Sequence, residues 1–418
     1  MPVGNNSAIL AAQLEKVHSP DLEEMFALDS IFWKYIKARP KDTVSTRPER
    51  IVYKPYTGGK SRVVNLDGGD MGRGGAPQYA FGNIAPVSFD WVMEWTKLAE
   101  ISSDSREKAV VDYMAEILKD HTRIAAFNID SLLSYGDGAN TLGIVTSYDD
   151  TNFIIYVDNA ARFYAGQDVD YYAGGLGTAV TETITILGVD NTAKALYLTA
   201  NPGTNPVATG LLLENASAGT ANSGLNGILA YQAARTTGTY TGVSVAAYPG
   251  AFSTPTVNAG NTTLTPQVAR LLLAQLKLAR GVNTKPGDSV KFHMGLDQQT
   301  AWENTGINVT QNIQSGNATA RDMLATEQIS TIGGIEIITN LKAIPGRIDL
   351  LDFKTWYRTE VQALDFYEVD GKRTFWPMGD SGGVAASMLS YLYWMGNVVC
   401  DNPRANAFIS SLAIPAGY

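Results

Sequence analysis

Seven glycines fall within eighteen residues, Gly58, Gly59, Gly68, Gly69, Gly72, Gly74 and Gly75, and the chain reads as strand on either side of them. Ile51-Val52-Tyr53 opens the segment, and Phe89, Trp91, Met93 and Trp95 alternate near its close. Two strands joined by turn residues form a long flap that is too thin to bury a core of its own. Yet aromatic side chains crowd it: Tyr53, Tyr56, Tyr79, Phe81, Trp91 and Trp95. Such a flap is stable only against something else. The alternation puts Trp91 and Trp95 on one face, at the base and packed on a neighbouring helix. Tyr56, Tyr79 and Phe81, nearer the tip, are expected to contact another copy of the chain, because aromatic anchors carry much of the energy at interfaces.

Composition bounds what surrounds the flap. Of 418 residues, 45% are hydrophobic and 17% charged, below the roughly 25% charge of an ordinary soluble domain. The chain can therefore bury a large core, and wholesale disorder is excluded. At roughly 100–200 residues per domain, the length suits about two to four compact units. A net charge of −9 argues against binding nucleic acid by phosphate neutralisation and against a polybasic membrane surface. The single cysteine, Cys400, excludes an intramolecular disulfide and a cysteine-rich zinc site. It follows the apolar run Met395 to Val399 and reads as a small buried hydrophobe. The opening MPVGNNSAIL has no Lys or Arg before its short apolar patch, which does not suit a signal peptide. The run Val384 to Val399 is broken by polar residues and is shorter than a membrane span. The expectation is a protein made in the cytoplasm without membrane association.

Around the flap the elements differ in kind. Residues 1–48 read as an arm with a little helix after Pro20-Asp21. Beyond the flap (49–97), Asp104 and Glu107 have capping-box spacing. Val110, Val111, Met114, Ile117, Leu118, His121, Ile124 and Ala125 then recur on one helical face. The pattern predicts a strut running to about Leu133, roughly 40 Å long, and stopped by Gly136-Asp137-Gly138. Between 136 and 222 strand signals come in short bursts, at Phe153 to Val157, Thr183 to Leu187 and Ala195 to Leu198. That is the rhythm of an all-β sandwich or small barrel. Nine acidic and three basic side chains between 136 and 260 hold most of the acidic excess. Thr265-Pro266 opens a second helix, with Thr suited to the N-cap and Pro to the first helical position. Its stripe is Val268, Leu271, Leu272, Leu276 and Ala279. Lys277 and Arg280 oppose the negative end of its dipole, and Gly281 stops it. Residues 286–380 read as a mixed lobe, and 381–418 as returning strands. The fold class is α+β.

No constellation of catalytic side chains survives inspection. Gly379-Asp380-Ser381-Gly382-Gly383 matches the surroundings of the nucleophilic serine in trypsin-like proteases, but that chemistry needs a histidine base oriented by a buried aspartate. Of the three histidines, His18 lies in the arm, His121 on the apolar stripe of the strut, and His293 within Lys-Phe-His-Met. Thr57-Gly58-Gly59-Lys60-Ser61 resembles the end of a phosphate loop, yet Lys54 stands where the first glycine is required. The glycines at 68–75 fail dinucleotide spacing because Pro77 replaces the third. No histidine and carboxylate spacing suits a metal, and Asp149, Asp150, Asp168 and Asp170 read as a solvated acidic face rather than a cation site. No cofactor, metal or catalytic residue is assigned.

The order of these pieces resembles the tailed-phage major capsid protein family, with its Hong Kong 97-type fold. The resemblance is carried by Lys97-Leu-Ala-Glu-Ile-Ser-Ser-Asp-Ser before the strut and by Ala279-Arg-Gly-Val-Asn-Thr-Lys-Pro-Gly-Asp after the second helix. Ile332-Gly-Gly-Ile-Glu-Ile-Ile and Val399-Cys-Asp-Asn-Pro-Arg-Ala complete it. It implies an N-terminal arm (1–48), an E-loop (49–97), a spine helix and peripheral domain (98–135), and an all-β insertion domain (136–222). A peripheral-domain helix (223–285), an axial domain (286–380) and returning peripheral strands (381–418) complete the plan. The implied function is structural and without enzymatic turnover. Hexamers and pentamers of the chain would close an icosahedral head shell around DNA bound without sequence specificity, so the chain would reside in the virion. Scaffolding, portal and decoration proteins are the implied partners, and the missing N-terminal coiled coil points to a separate scaffolding protein or none. Tyr56, Lys60, Arg62, Tyr79 and Phe81 become the subunit-interface residues, and Lys60 the flap lysine that some relatives cross-link. The alternatives are a surface-layer or adhesin-like structural protein and a serine hydrolase using Ser381.

Overall fold

The computed structural model describes residues 31–39, 49–56, 58, 75–96, 122–173, 181–214, 224–281, 287–313, 331–368 and 387–415. Lys60, Arg62, most of the glycine-rich tip, the start of the strut at Asp104 and the Gly379–Gly383 pentapeptide lie outside these residues. The chain divides into two compact units. One is drawn from Met1–Thr46, Pro86–Leu225 and Tyr357–Val398, the other from Arg47–Ala85, Asn226–Trp356 and Val399–Tyr418.

The first unit holds a four-stranded sheet and a barrel. In the sheet, Lys37–Arg39 lies beside Trp356–Phe366, followed by Ser387–Cys400 and Val87–Thr96. Val87–Thr96 runs antiparallel to Ser387–Cys400, with Trp91 opposite Leu392. This corrects the expected flap: the 89–95 alternation does mark a strand, but not the flap's return strand. Trp91 is buried there, and Phe89 stacks on Trp394 at 6.0 Å. The arm segment Lys37–Arg39 pairs in parallel with Tyr357 to Thr359. The Arg39 guanidinium sits 3.6 Å from the centre of the Tyr357 ring, a cation–π contact that fastens the arm.

The strand rhythm of 136–222 folds as a closed six-stranded barrel. Around it run Leu211–Glu214, Thr141–Asp149, Ile154–Val157, Ala195–Leu198, Glu182–Asp190 and Asp168–Tyr172, which meets Leu211–Glu214 again. Every neighbouring pair is antiparallel. Alternation fills the interior: Ile184 and Ile186 point in while Thr183 and Thr185 stay exposed. Closure removes the strand edges that would invite stray pairing. The helix over residues 122–135 runs into this barrel and is almost wholly buried. It ends at Gly136, whose φ of 54° is the left-handed conformation that a glycine adopts without penalty.

The second unit is built on a six-stranded mixed sheet. Its order is Thr256–Thr262, Ala407–Leu412, Ile348–Asp352, Val290–Met294, Ile335–Thr339 and Thr331–Ile332. The helix Pro266–Arg280 covers it, burying Ala269, Leu272 and Leu276 against Phe292, Leu350 and Ile409. This helix has the caps expected of it. Thr265 Oγ1 accepts the Val268 N–H, Pro266 takes the first position, and Gly281 ends it at φ 67°. The cut expected at 285 runs through this core, because the helix before it and the strands after it pack on each other.

Candidate functional site

The flap belongs to the second unit as an antiparallel hairpin, Glu49–Tyr56 with Gln78–Ile84. Its register places Val52 opposite Phe81, Ile51 opposite Gly82 and Tyr53 opposite Ala80. The two faces therefore separate cleanly. Ile51, Tyr53, Ala80, Gly82 and Ile84 are buried, while Val52, Lys54, Tyr79, Phe81 and Asn83 are exposed. The hairpin is still closed at Gly58, where a Cβ would lie 2.5 Å from Pro77 N.

The inner face sits on a platform from residues 231–252. Tyr53 meets Phe252 edge-on at 5.3 Å and Tyr240 at 5.8 Å, and Tyr240 stacks on Phe252 at 5.2 Å. Tyr231 extends the stack from Tyr240 to Trp356. Burial pushes the Tyr53 phenol well above its ordinary pKa, so it acts as a neutral hydrogen-bonding group. The Tyr240 hydroxyl donates to Cys400 O at 2.6 Å. Cys400 is fully buried, and that burial pushes its thiol up to about 12. It is the inert small residue expected from its neighbours.

The outer face carries large apolar side chains beside Lys54 and Asn83. Val52 is 57% exposed, Tyr79 53% and Phe81 50%, contiguous across the two strands by register. Tyr79 and Phe81 are therefore exposed on a surface rather than buried in a core. Tyr56 differs. Its hydroxyl donates to Pro249 O at 3.1 Å and its ring leans on Tyr248 at 6.1 Å, so it helps tie the hairpin to its own unit. Val52 escaped the sequence reading because a valine between Ile51 and Tyr53 does not declare its face. Tyr240, Thr241 and Phe252 escaped because nothing in sequence ties them to a hairpin nearly 200 residues earlier.

Polar side chains also cluster away from the hairpin. His293 faces Asp349 at 3.6 Å across neighbouring strands, both nearly fully buried, and Arg347 Nε donates to Asp349 at 2.7 Å. Burial works to raise the Asp349 carboxyl, but Arg347 and His293 outweigh it and hold its pKa below the usual range. His293 and Asp349 lie on adjoining strands of the six-stranded sheet, and Arg347 directly precedes the strand of Asp349. On the barrel, Asp168 accepts from Thr185 Oγ1, Asp170 from Thr183 Oγ1 and Asp149 from Thr151 N–H. Among the described residues no cluster of His, Cys, Asp or Glu suits a metal ion, and no helix is long and apolar enough to cross a membrane.

No family model and no curated protein sequence matches this chain. Solved structures do. A chain of the cyanophage A-1(L) capsid asymmetric unit superposes with a TM-score of 0.53 at 12% identity, covering 91% of this chain and 92% of that one. A capsid chain of a native GTA particle gives 0.46 at 10% identity over 93% and 91%. The capsid chain of Myoviridae phage XM1 gives 0.45 at 12% identity over 91% of each. By its likeness to the cyanophage A-1(L) chain over nearly its whole length, this chain has a phage capsid fold.

Proposed function

We propose that this chain is the major structural subunit of a phage head. It assembles with copies of itself into hexamers and pentamers, and these close an icosahedral shell around packaged DNA held without sequence specificity. The observation that supports this reading most is the likeness in fold to the cyanophage A-1(L) capsid chain over 91% of this chain. The outer face of the hairpin supports it, since three large apolar side chains on a thin projection are stable in water only at a cost that a neighbour's surface removes. On this reading the hairpin is the E-loop, and the helix over 122–135 is the end of the spine. The barrel is an insertion domain on the outer face, and the six-stranded sheet belongs to the axial domain. Tyr79 and Phe81, with Lys60 and Arg62 toward the tip, meet the adjacent subunit. The chain works by burial rather than turnover, within the virion and after synthesis in the host cytoplasm. Scaffolding, portal and decoration proteins are its further partners.

Negative-stain images and sedimentation of the purified chain, with and without a scaffolding partner, test the proposal. Closed shells or capsomers are expected. A chain that stays monomeric under all these conditions contradicts it, as does one labelled at Ser381 by a fluorophosphonate. Flat lattices would favour a surface-layer protein.

A further inference from the structure

One residue of the platform stands in a costly conformation. Thr239–Tyr240 and Val243–Ser244 form a small hairpin whose two-residue loop is Thr241-Gly242, with φ of 49° and 86°. Two successive positive φ values mark the type I′ turn, which favours Asn, Asp or Gly at its first position. A β-branched residue there is a genuine outlier, and such strain persists only where the surroundings over-determine it.

The surroundings of Thr241 are the flap. Its Oγ1 donates to Tyr240 O at 2.7 Å, and the same Oγ1 shares a hydrogen bond of 3.0 Å with the Tyr53 hydroxyl. Its carbonyl accepts the Asn83 N–H at 2.9 Å. Thr241 thus holds the first strand of the flap through Tyr53 and the second through Asn83. Between these contacts Gly82 lets the turn approach. A Cβ there would collide with Thr241 Oγ1 and lie 2.7 Å from Tyr53 Cε2.

We propose that the Thr241-Gly242 turn is a clasp that sets the direction in which the flap presents Val52, Tyr79 and Phe81 to a second copy of the chain. The second half of that statement rests on the proposed function; the first does not. Asparagine would make a more relaxed turn. The threonine hydroxyl, on its short stem, is what reaches Tyr53 while remaining bonded to its own turn. Thr241 is therefore a positioning residue, acting on the interface through the flap.

Two readouts on the full-length chain test the clasp. Thr241→Gly relieves the strain and removes the hydroxyl. It is expected to leave the melting temperature of the unassembled chain unchanged or raised. Amide hydrogen exchange over residues 78–84 should accelerate at least tenfold, and the yield of assembled particles should fall at least fivefold. Thr241→Ser, which restores the hydroxyl alone, should return exchange and yield toward those of the parent chain. Tyr53→Phe keeps the ring and removes its hydroxyl, and should accelerate exchange without any change in the turn. Unchanged exchange in both Thr241→Gly and Tyr53→Phe overturns the clasp. Faster exchange with a normal particle yield overturns instead the role of the flap face in meeting a second copy.

Discussion

Glu214 shows how one side chain couples the barrel to the helix over 122–135. It ends the strand Leu211–Glu214, where Asn128 Nδ2 of the helix donates to its Oε1 at 3.3 Å and Gln167 Nε2 donates to its Oε2 at 2.7 Å. Asp168, Asp170 and the Tyr164 phenol face it. Burial raises its pKa, Gln167 pulls it partly back, and Asp170 and Asp168 add to the rise, leaving it at about 7. The native state therefore holds a proton that the unfolded chain releases near pH 4.5. Stability from this group is complete below that value and is lost as pH rises through about 7, a change of about 3 kcal/mol. Glu214→Gln keeps the shape and removes the titration. Its melting temperature should exceed that of the parent chain at pH 8 and match or fall below it at pH 5. A difference between the two proteins that does not vary with pH rejects this account. At the same scale, Tyr79→Ala or Phe81→Ala should change stability by no more than about 0.5 kcal/mol, as expected of surface positions, while assembly yield falls sharply. Tyr53→Ala removes a buried ring and should cost about 3 kcal/mol in denaturant unfolding. Equal losses of stability for all three would mean that the flap's outer face is core.

Elements were legible to the degree that their signals are local. Thr265-Pro266 and Gly281 bracket a helix in sequence and in structure because caps act within one turn. The strands of 136–222 were legible from alternation, and their closure into a barrel was not, because alternation gives each strand its faces and not its partners. The 89–95 strand carries the same lesson: its partner, Ser387–Cys400, lies about 300 residues on. Nor does sequence reveal that the helix over 122–135 lies buried beside the barrel. Phe127 meets Tyr164 edge-on at 5.9 Å, and Arg162 lies 5.0 Å from the Tyr135 ring while donating to Leu142 O and Asp158. Residues 136–222 read as an insertion domain, but these contacts tie the helix before them to the barrel. Replacing 141–214 by a Gly-Ser bridge should therefore yield insoluble or molten chain, scored by near-UV circular dichroism and solubility. A soluble excised chain with native tertiary signal would show that the barrel is separable after all.

For the whole molecule, the sequence offered a plan: arm, flap, strut, β piece, mixed lobe and returning strands, on a charge-poor chain without a catalytic constellation. The plan lies in order and periodicity, which is why it could be read while 12% identity accompanies the structural likeness. The clasp at Thr241 and the aromatic platform could not be read, because they join residues 53, 83 and 241 only after the fold has formed. The same fold leaves Val52, Tyr79 and Phe81 displayed on a mounted hairpin, and the account stands on what covers them. A cryo-electron microscopy reconstruction of particles assembled from the full-length chain measures that directly. The account predicts a closed shell in which the outer face of residues 52–54 and 79–81 is buried against an adjacent subunit. A shell in which that face points into solvent, with the copies held together elsewhere, would contradict it.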